Sequence, residues 1–148
     1  MVIGLLAIAM AAIAGIANQP QYPDVNQLAA VRILTAEHRI EFPDRIVLTL
    51  EAESAADVVE IQLFYRFASQ DATIYGYPKT AETSGVLTAE FDIVTGGATF
   101  IPAGVEIEYH YVFRNVDGSR FETERYHVEY RDPQYDWQRL DAGPVVVL

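Results

Sequence analysis

From Arg45 onward the chain alternates apolar and polar side chains with a period of two, the pattern of strands that bury one face. In residues 45–53, Ile46, Leu48, Leu50 and Ala52 fall on one side, with Val47, Thr49, Glu51 and Glu53 on the other. Residues 58–67 repeat the pattern with Val59, Ile61, Leu63 and Tyr65 directed inward. Residues 86–94 do so with Leu87, Ala89, Phe91 and Ile93. Shorter strands are expected at 37–42, ending at Pro43-Asp44, and at 72–77, closed by Pro78. Residues 28–35 read equally well as an edge strand or a short helix.

The segment 101–130 predicts a hairpin. Ile107, Tyr109, Tyr111 and Phe113 alternate with Glu108, His110, Val112 and Arg114, and a second alternating run returns from Arg120 to Tyr130. Asp117-Gly118 is read as the two-residue loop of a type I′ turn, with both residues at positive φ. Tyr109 then faces Tyr126, Ile107 faces Val128, Glu108 faces His127 and His110 faces Arg125, so apolar pairs share one face and polar pairs the other. The sum is about seven strands separated by Gly, Pro, Asp or Ser, with no amphipathic helix after Ala17. That pattern predicts an all-β chain, a single two-sheet antiparallel sandwich.

The start of the chain is different. VIGLLAIAMAAIAGIA, residues 2–17, carries no charged side chain and cannot lie on the surface of a water-soluble domain. As a helix it suits a signal peptide, a retained membrane anchor or an element buried in an assembly, and each places the rest of the chain outside the cytoplasm. The Lys or Arg that ordinarily opens a signal peptide is missing. Residues 18–27, NQPQYPDVNQ, form a polar, proline-bearing linker to a sandwich expected over 28–131, and 132–148 is a C-terminal extension.

Charge and composition narrow the function classes. A formal charge of −11 with only 10 Lys and Arg argues against nucleic acid and disfavours acidic substrates. There is no cysteine, which excludes disulfides and thiol-based metal or redox sites.

Candidate chemistry is sparse. Glu108, His110 and His127 share the polar face of the hairpin and are the best available set for a metal, but Arg125 beside His110 would repel a cation. A solvated face of complementary charges is the competing explanation. Glu51, Glu53, Glu60 and Glu90 lie scattered at outward strand positions rather than paired across a cleft. The chain contains neither a G-x-S-x-G nucleophile motif nor a glycine-rich phosphate loop. No catalytic residue and no cofactor are expected. Most aromatics belong to the core, whereas Tyr75, Tyr77, Tyr135 and Trp137 sit in or beside loops, where exposed rings could stack on sugars or anchor a protein partner. The apolar run PVVVL, with Val145, Val146 and Val147, could complete this domain's sheet, pair with another subunit or open a following domain.

Two resemblances attach to particular residues. Pro102-Ala103-Gly104, the alternating Tyr109, Tyr111 and Phe113, and Asp117-Gly118 resemble the loop, strand and turn of fibronectin type III and immunoglobulin-like modules. The resemblance implies a tyrosine that ties the preceding corner, with Tyr109 the best match. The runs VVEIQLFYRF, IPAGVEIEYHYVFRNVDG and YRDPQYDWQRL also resemble the β-rich region that precedes the catalytic domain of bacterial extracytoplasmic gluzincin-type (peptidase MA-like) proteins, with Asp132, Pro133, Tyr135, Asp136 and Trp137 matching its exit segment. That family's HExxH motif is absent, so no catalytic residue carries over.

The reading that follows is a non-catalytic extracytoplasmic module for protein binding or assembly. Its self-association, or its membrane attachment through residues 1–17, depends on the fate of the apolar run. The alternatives are an accessory domain of a gluzincin metallopeptidase and a structural subunit of a filament or membrane complex.

Overall fold

The computed structural model describes residues 31–54, 57–138, 140–142 and 145–147, so the apolar start and its expected helix lie outside the described residues. The described chain is all-β, apart from one 3-10 turn at Gly97–Thr99. The strands are β1 (Val31–Glu41), β2 (Arg45–Ser54), β3 (Val58–Phe67), β4 (Ile74–Gly76), β5 (Lys79–Thr83) and β6 (Val86–Val94), then β7 (Val105–Asn115), β8 (Arg120–Glu122), β9 (Tyr126–Tyr130), β10 (Leu140–Ala142) and β11 (Val145–Val147). They form an antiparallel sheet of order β1-β2-β6-β5 and a five-stranded antiparallel sheet of order β4-β3-β7-β8, in which β9 also pairs with β7. Among the described residues no helix is long and apolar enough to cross a membrane.

The core lies between the two sheets and follows from the alternation. Ile46, Leu48, Leu50, Ala52, Ala89 and Ile93 from the first sheet meet Ile61, Leu63, Ile107, Tyr109, Tyr111, Phe113, Val128 and Tyr130 from the second. Burying a residue such as Leu63 or Ile107 contributes about 1.5–3 kcal/mol, which makes this layer the main source of stability. Tyr130 adds a polar tie between the layers: its hydroxyl donates to the Pro43 carbonyl at 3.0 Å, in the turn between β1 and β2. This bond ties the β1–β2 turn and not the corner before β7 that Tyr109 was expected to tie; Tyr109 packs its ring against Tyr126 and Tyr111.

Several expectations are corrected. The described residues hold eleven strands rather than about seven. Val31–Glu41 is one strand instead of two segments, because a bulge between Ile33 and Thr35 lets the edge continue past a break in the alternation. Residues 79–83 form a strand that the sequence pattern does not mark, since all five side chains are exposed and none supplies an apolar period. In β3 a register shift between Val58 and Glu60 turns Val59 outward, 60% exposed, and Val58 packs on the core in its place.

The hairpin is the most instructive case. Asp117 is not at positive φ; among residues 115–119 only Gly118 is, at 82°. Arg114 pairs with Arg120, and the Asn115 amide donates to the Ser119 carbonyl at 3.0 Å, so the loop is the three residues Val116, Asp117 and Gly118. The return strand then breaks between Glu122 and Tyr126, where three residues oppose the two residues His110 and Tyr111. The extra residue in the break compensates for the extra residue in the loop. Tyr109–Tyr126, Ile107–Val128 and Glu108–His127 consequently pair as expected, while His110–Arg125 does not belong to the ladder. The tight turn with two successive positive φ values is instead Ser84-Gly85, at 53° and 81°, between β5 and β6.

Candidate functional site

The outer face of the five-stranded sheet gathers what the core did not use. Even-numbered residues of β7, and of β3 from Glu60 on, point away from the core, and the register places Phe64 opposite Tyr75 on one side and opposite His110 on the other. Three rings therefore form a row across β4, β3 and β7. Phe64 lies nearly parallel to His110, with ring centres 5.4 Å apart at 14°, and is tilted by 36° from Tyr75 at 6.1 Å. Tyr77, just past the end of β4, stands almost perpendicular to Tyr75 at 87° and 6.1 Å. Tyr75 and Tyr77 are 62% and 58% exposed.

Polar groups flank this row on both sides. Gln62, two residues from Phe64, donates through Nε2 to the Tyr77 hydroxyl at 3.3 Å and so holds that ring. On the opposite flank Arg66 donates to Glu108 at 3.0 and 3.3 Å, and Arg125 donates to the same carboxylate at 2.9 Å. The Arg66 hydrogen bond, assisted by Arg125, holds the Glu108 carboxyl below its ordinary pKa and keeps it anionic. Burial, with Arg125 nearby, lowers the pKa of His110. The His110 Nδ1 is buried and lacks a partner among the described residues, as suits a neutral imidazole packed as a ring. This strip of rings, with Tyr77 and Gln62 on one side and the Arg66–Glu108 pair on the other, is called the trough.

The set Glu108, His110 and His127 is brought to this face but not into a ligand geometry. Glu108 is engaged by two guanidinium groups, and His110 lies flat on Phe64. Among the described residues there is no group of three or more His, Cys, Asp or Glu that could hold a metal ion. Of the four aromatics expected to be exposed, Tyr75 and Tyr77 join the trough. Tyr135 and Trp137 form a separate perpendicular pair at 6.2 Å and 78°. Asp132 orients that pair by accepting the indole N–H of Trp137 through its carbonyl at 2.8 Å and the Gln134 amide through its side chain at 2.9 Å. Val145, Val146 and Val147 lie in β11, which pairs with β10 in a two-stranded antiparallel unit, so the run finds a strand partner within this chain.

Phe64 is the residue that sequence reasoning missed, and His110 was singled out as a candidate metal ligand rather than as a ring stacked on Phe64. The available signal was the position of Phe64: it breaks the polar face of an otherwise alternating strand, and an apolar ring there is either a surface site or an interface.

No protein-family profile matches the sequence, and no curated protein does. The resemblance to the gluzincin β-region therefore stands on its residues alone. Several solved structures are similar. One is a bromine derivative of BhCBM56, 12% identical, with a TM-score of 0.43 over 64% of this chain and 89% of that one. A second is the β-1,3-glucan-binding domain of carbohydrate-binding module family 56, 17% identical, with a TM-score of 0.41 over 64% and 96%. Wild-type OgpA from Akkermansia muciniphila is 8% identical, with a TM-score of 0.48 over 68% of this chain and 28% of that one.

Proposed function

We propose that this protein is a non-catalytic binding module that works outside the cytoplasm and holds a carbohydrate in the trough on the outer face of its five-stranded sheet. The observation that carries this reading is the row Tyr75, Phe64 and His110 with polar groups along both flanks. A pyranose exposes C–H groups on its face and hydroxyls around its rim. The electron-rich face of an aromatic ring attracts such C–H groups, and donors and acceptors beside the ring meet the hydroxyls. Rings already held by Gln62 and by neighbouring rings lose little entropy on binding.

Protein binding, the expectation from the sequence, fits this face less well. Protein hot spots are side chains seated in pockets. Two clefts lie elsewhere, one beside Ile33–Ala36 and Phe121–Tyr126 and one beside Phe67 and Phe100–Val105. The strand order β1-β2-β6-β5 facing β4-β3-β7-β9 supports an immunoglobulin-like sandwich, since it corresponds to strands A-B-E-D and C′-C-F-G of that fold. The charge-free run at residues 2–17 supports export or anchoring.

The test is depletion of the full chain from solution by a panel of insoluble polysaccharides, compared with Tyr75→Ala/Tyr77→Ala. The wild type is expected to be retained by at least one, and the double variant to be released. Retention on none would refute the reading.

A further inference from the structure

Resting on that reading, we infer that the ligand is an uncharged polysaccharide taken as a run of several sugars rather than as a single terminal one. The first support is electrostatic. All eight arginines of the described residues, Arg32, Arg39, Arg45, Arg66, Arg114, Arg120, Arg125 and Arg131, are ion-paired with carboxylates. On the trough face, Arg66 and Arg125 are committed to Glu108, and Arg114 to Glu60. Glu106 and Glu129 face each other farther along the same sheet. A uronate or sulfate group would therefore have to displace an existing carboxylate to reach a guanidinium, and it would approach a chain of formal charge −11. Hydroxyls need no such displacement. They can accept from outward guanidinium N–H groups and donate to the free lone pairs of Glu108.

The second support is extent and shape. Tyr75, Phe64 and His110 sit on three adjacent strands, so the row runs across the sheet for roughly 10 Å at a strand spacing of about 4.8 Å. The flanking groups lie to either side along the strands: Tyr77 and Gln62 on one, Arg66 and Glu108 on the other. Such a row spreads its contacts over three strands, the exposed ring of Tyr75 and the rims of the stacked Phe64 and His110 rings meeting a chain of sugars laid along it, and its polar groups run parallel to that chain rather than closing over one end. A site for one terminal sugar would concentrate its polar groups around a single ring.

Affinity electrophoresis of the full chain tests the charge. The gels contain neutral soluble β-glucan, neutral galactomannan, polygalacturonate or dextran sulfate, and competition by glucose is compared with competition by an oligosaccharide of six units. Retardation by a neutral polymer is expected, at least 10-fold stronger than by either polyanion and insensitive to added salt. On the same molar basis the hexamer should compete at least 10-fold better than the monosaccharide. Tyr75→Ala/Tyr77→Ala should abolish the retardation, and both positions are exposed enough for the fold to survive, which circular dichroism checks. Tighter, salt-sensitive binding of a polyanion, or equal competition by glucose, overturns this inference and leaves the carbohydrate reading standing. Failure of every polymer to retard the wild type overturns both. Retardation unchanged in the double variant moves the site off the trough and refutes the inference.

Discussion

The imidazole of His110 on β7 lies face to face with Phe64 on β3, ring centres 5.4 Å apart, with Arg125 and Arg120 contributing unfavourable charge and Glu108 and Glu122 favourable charge. Burial is the larger effect, and its result is a pKa below the ordinary histidine value. The unfolded chain therefore takes up this proton first, near pH 6.5. Between that value and the lower folded one the unfolded state binds more protons, so stability falls as pH drops through the window. The carboxyls of Glu41, Glu108 and Asp117, held low by their partners, lose their contributions only at lower pH, in the carboxylate range. Urea midpoints at about pH 7.5 and about pH 5.5 should thus decline less in His110→Phe, which keeps the ring stack and removes the titration. An equal decline in both proteins would show that His110 is not the group responsible.

The Pro43 carbonyl accepts two hydroxyls, Tyr130 at 3.0 Å and Thr95 at 2.8 Å. Either bond alone keeps the carbonyl satisfied. Tyr130→Phe and Thr95→Val should each cost about 1 kcal/mol, and the double variant more than their sum, because only then is the acceptor left bare. Denaturation of the four proteins in a double-mutant cycle measures this. Strict additivity would mean that the two bonds act independently.

At Gly76 the sheets approach too closely for a side chain. A β-carbon there would stand 2.4 Å from Cε2 and 2.5 Å from Cζ of the Phe91 ring, which packs against the core from the opposite sheet. Gly76→Ala should destabilise by about 1–3 kcal/mol through overpacking. Phe91→Leu, in the same chain, should recover part of that loss. If Gly76→Ala melts with the wild type, the approach is looser than described.

Ser84 holds a left-handed φ of 53° in the β5–β6 turn, next to Gly85 at 81°. Asn tolerates that conformation better than Ser, so Ser84→Asn should raise the melting temperature slightly, by a few tenths of a kcal/mol in stability. A lower melting temperature would contradict the turn assignment.

Much of this fold is written in the alternation of its strands. The strands at 45–54, 58–67, 86–94 and 105–115 were legible because each buries one face and so carries the period-two alternation. Where burial does not impose that period, the pattern is silent: Lys79–Thr83 is exposed throughout, and Val58 and Val59 exchange roles at a bulge that no local preference marks. The far end of the hairpin was paired as expected although its turn was not, since the longer loop and the break at 123–125 offset one another. Half of the trough was visible as exposed tyrosines beside Pro78. Phe64 and His110 became partners of those tyrosines only once the register between β4, β3 and β7 was set.

Titration of isotopically labelled full chain with a soluble neutral β-glucan, followed residue by residue by NMR, tests the central claim most directly. The trough predicts shifts concentrated at Tyr75 and Tyr77, at the Gln62 side-chain amide, and at Phe64, Arg66 and His110. Shifts centred instead on Tyr135 and Trp137, or on the cleft beside Ile33–Ala36 and Phe121–Tyr126, would contradict it.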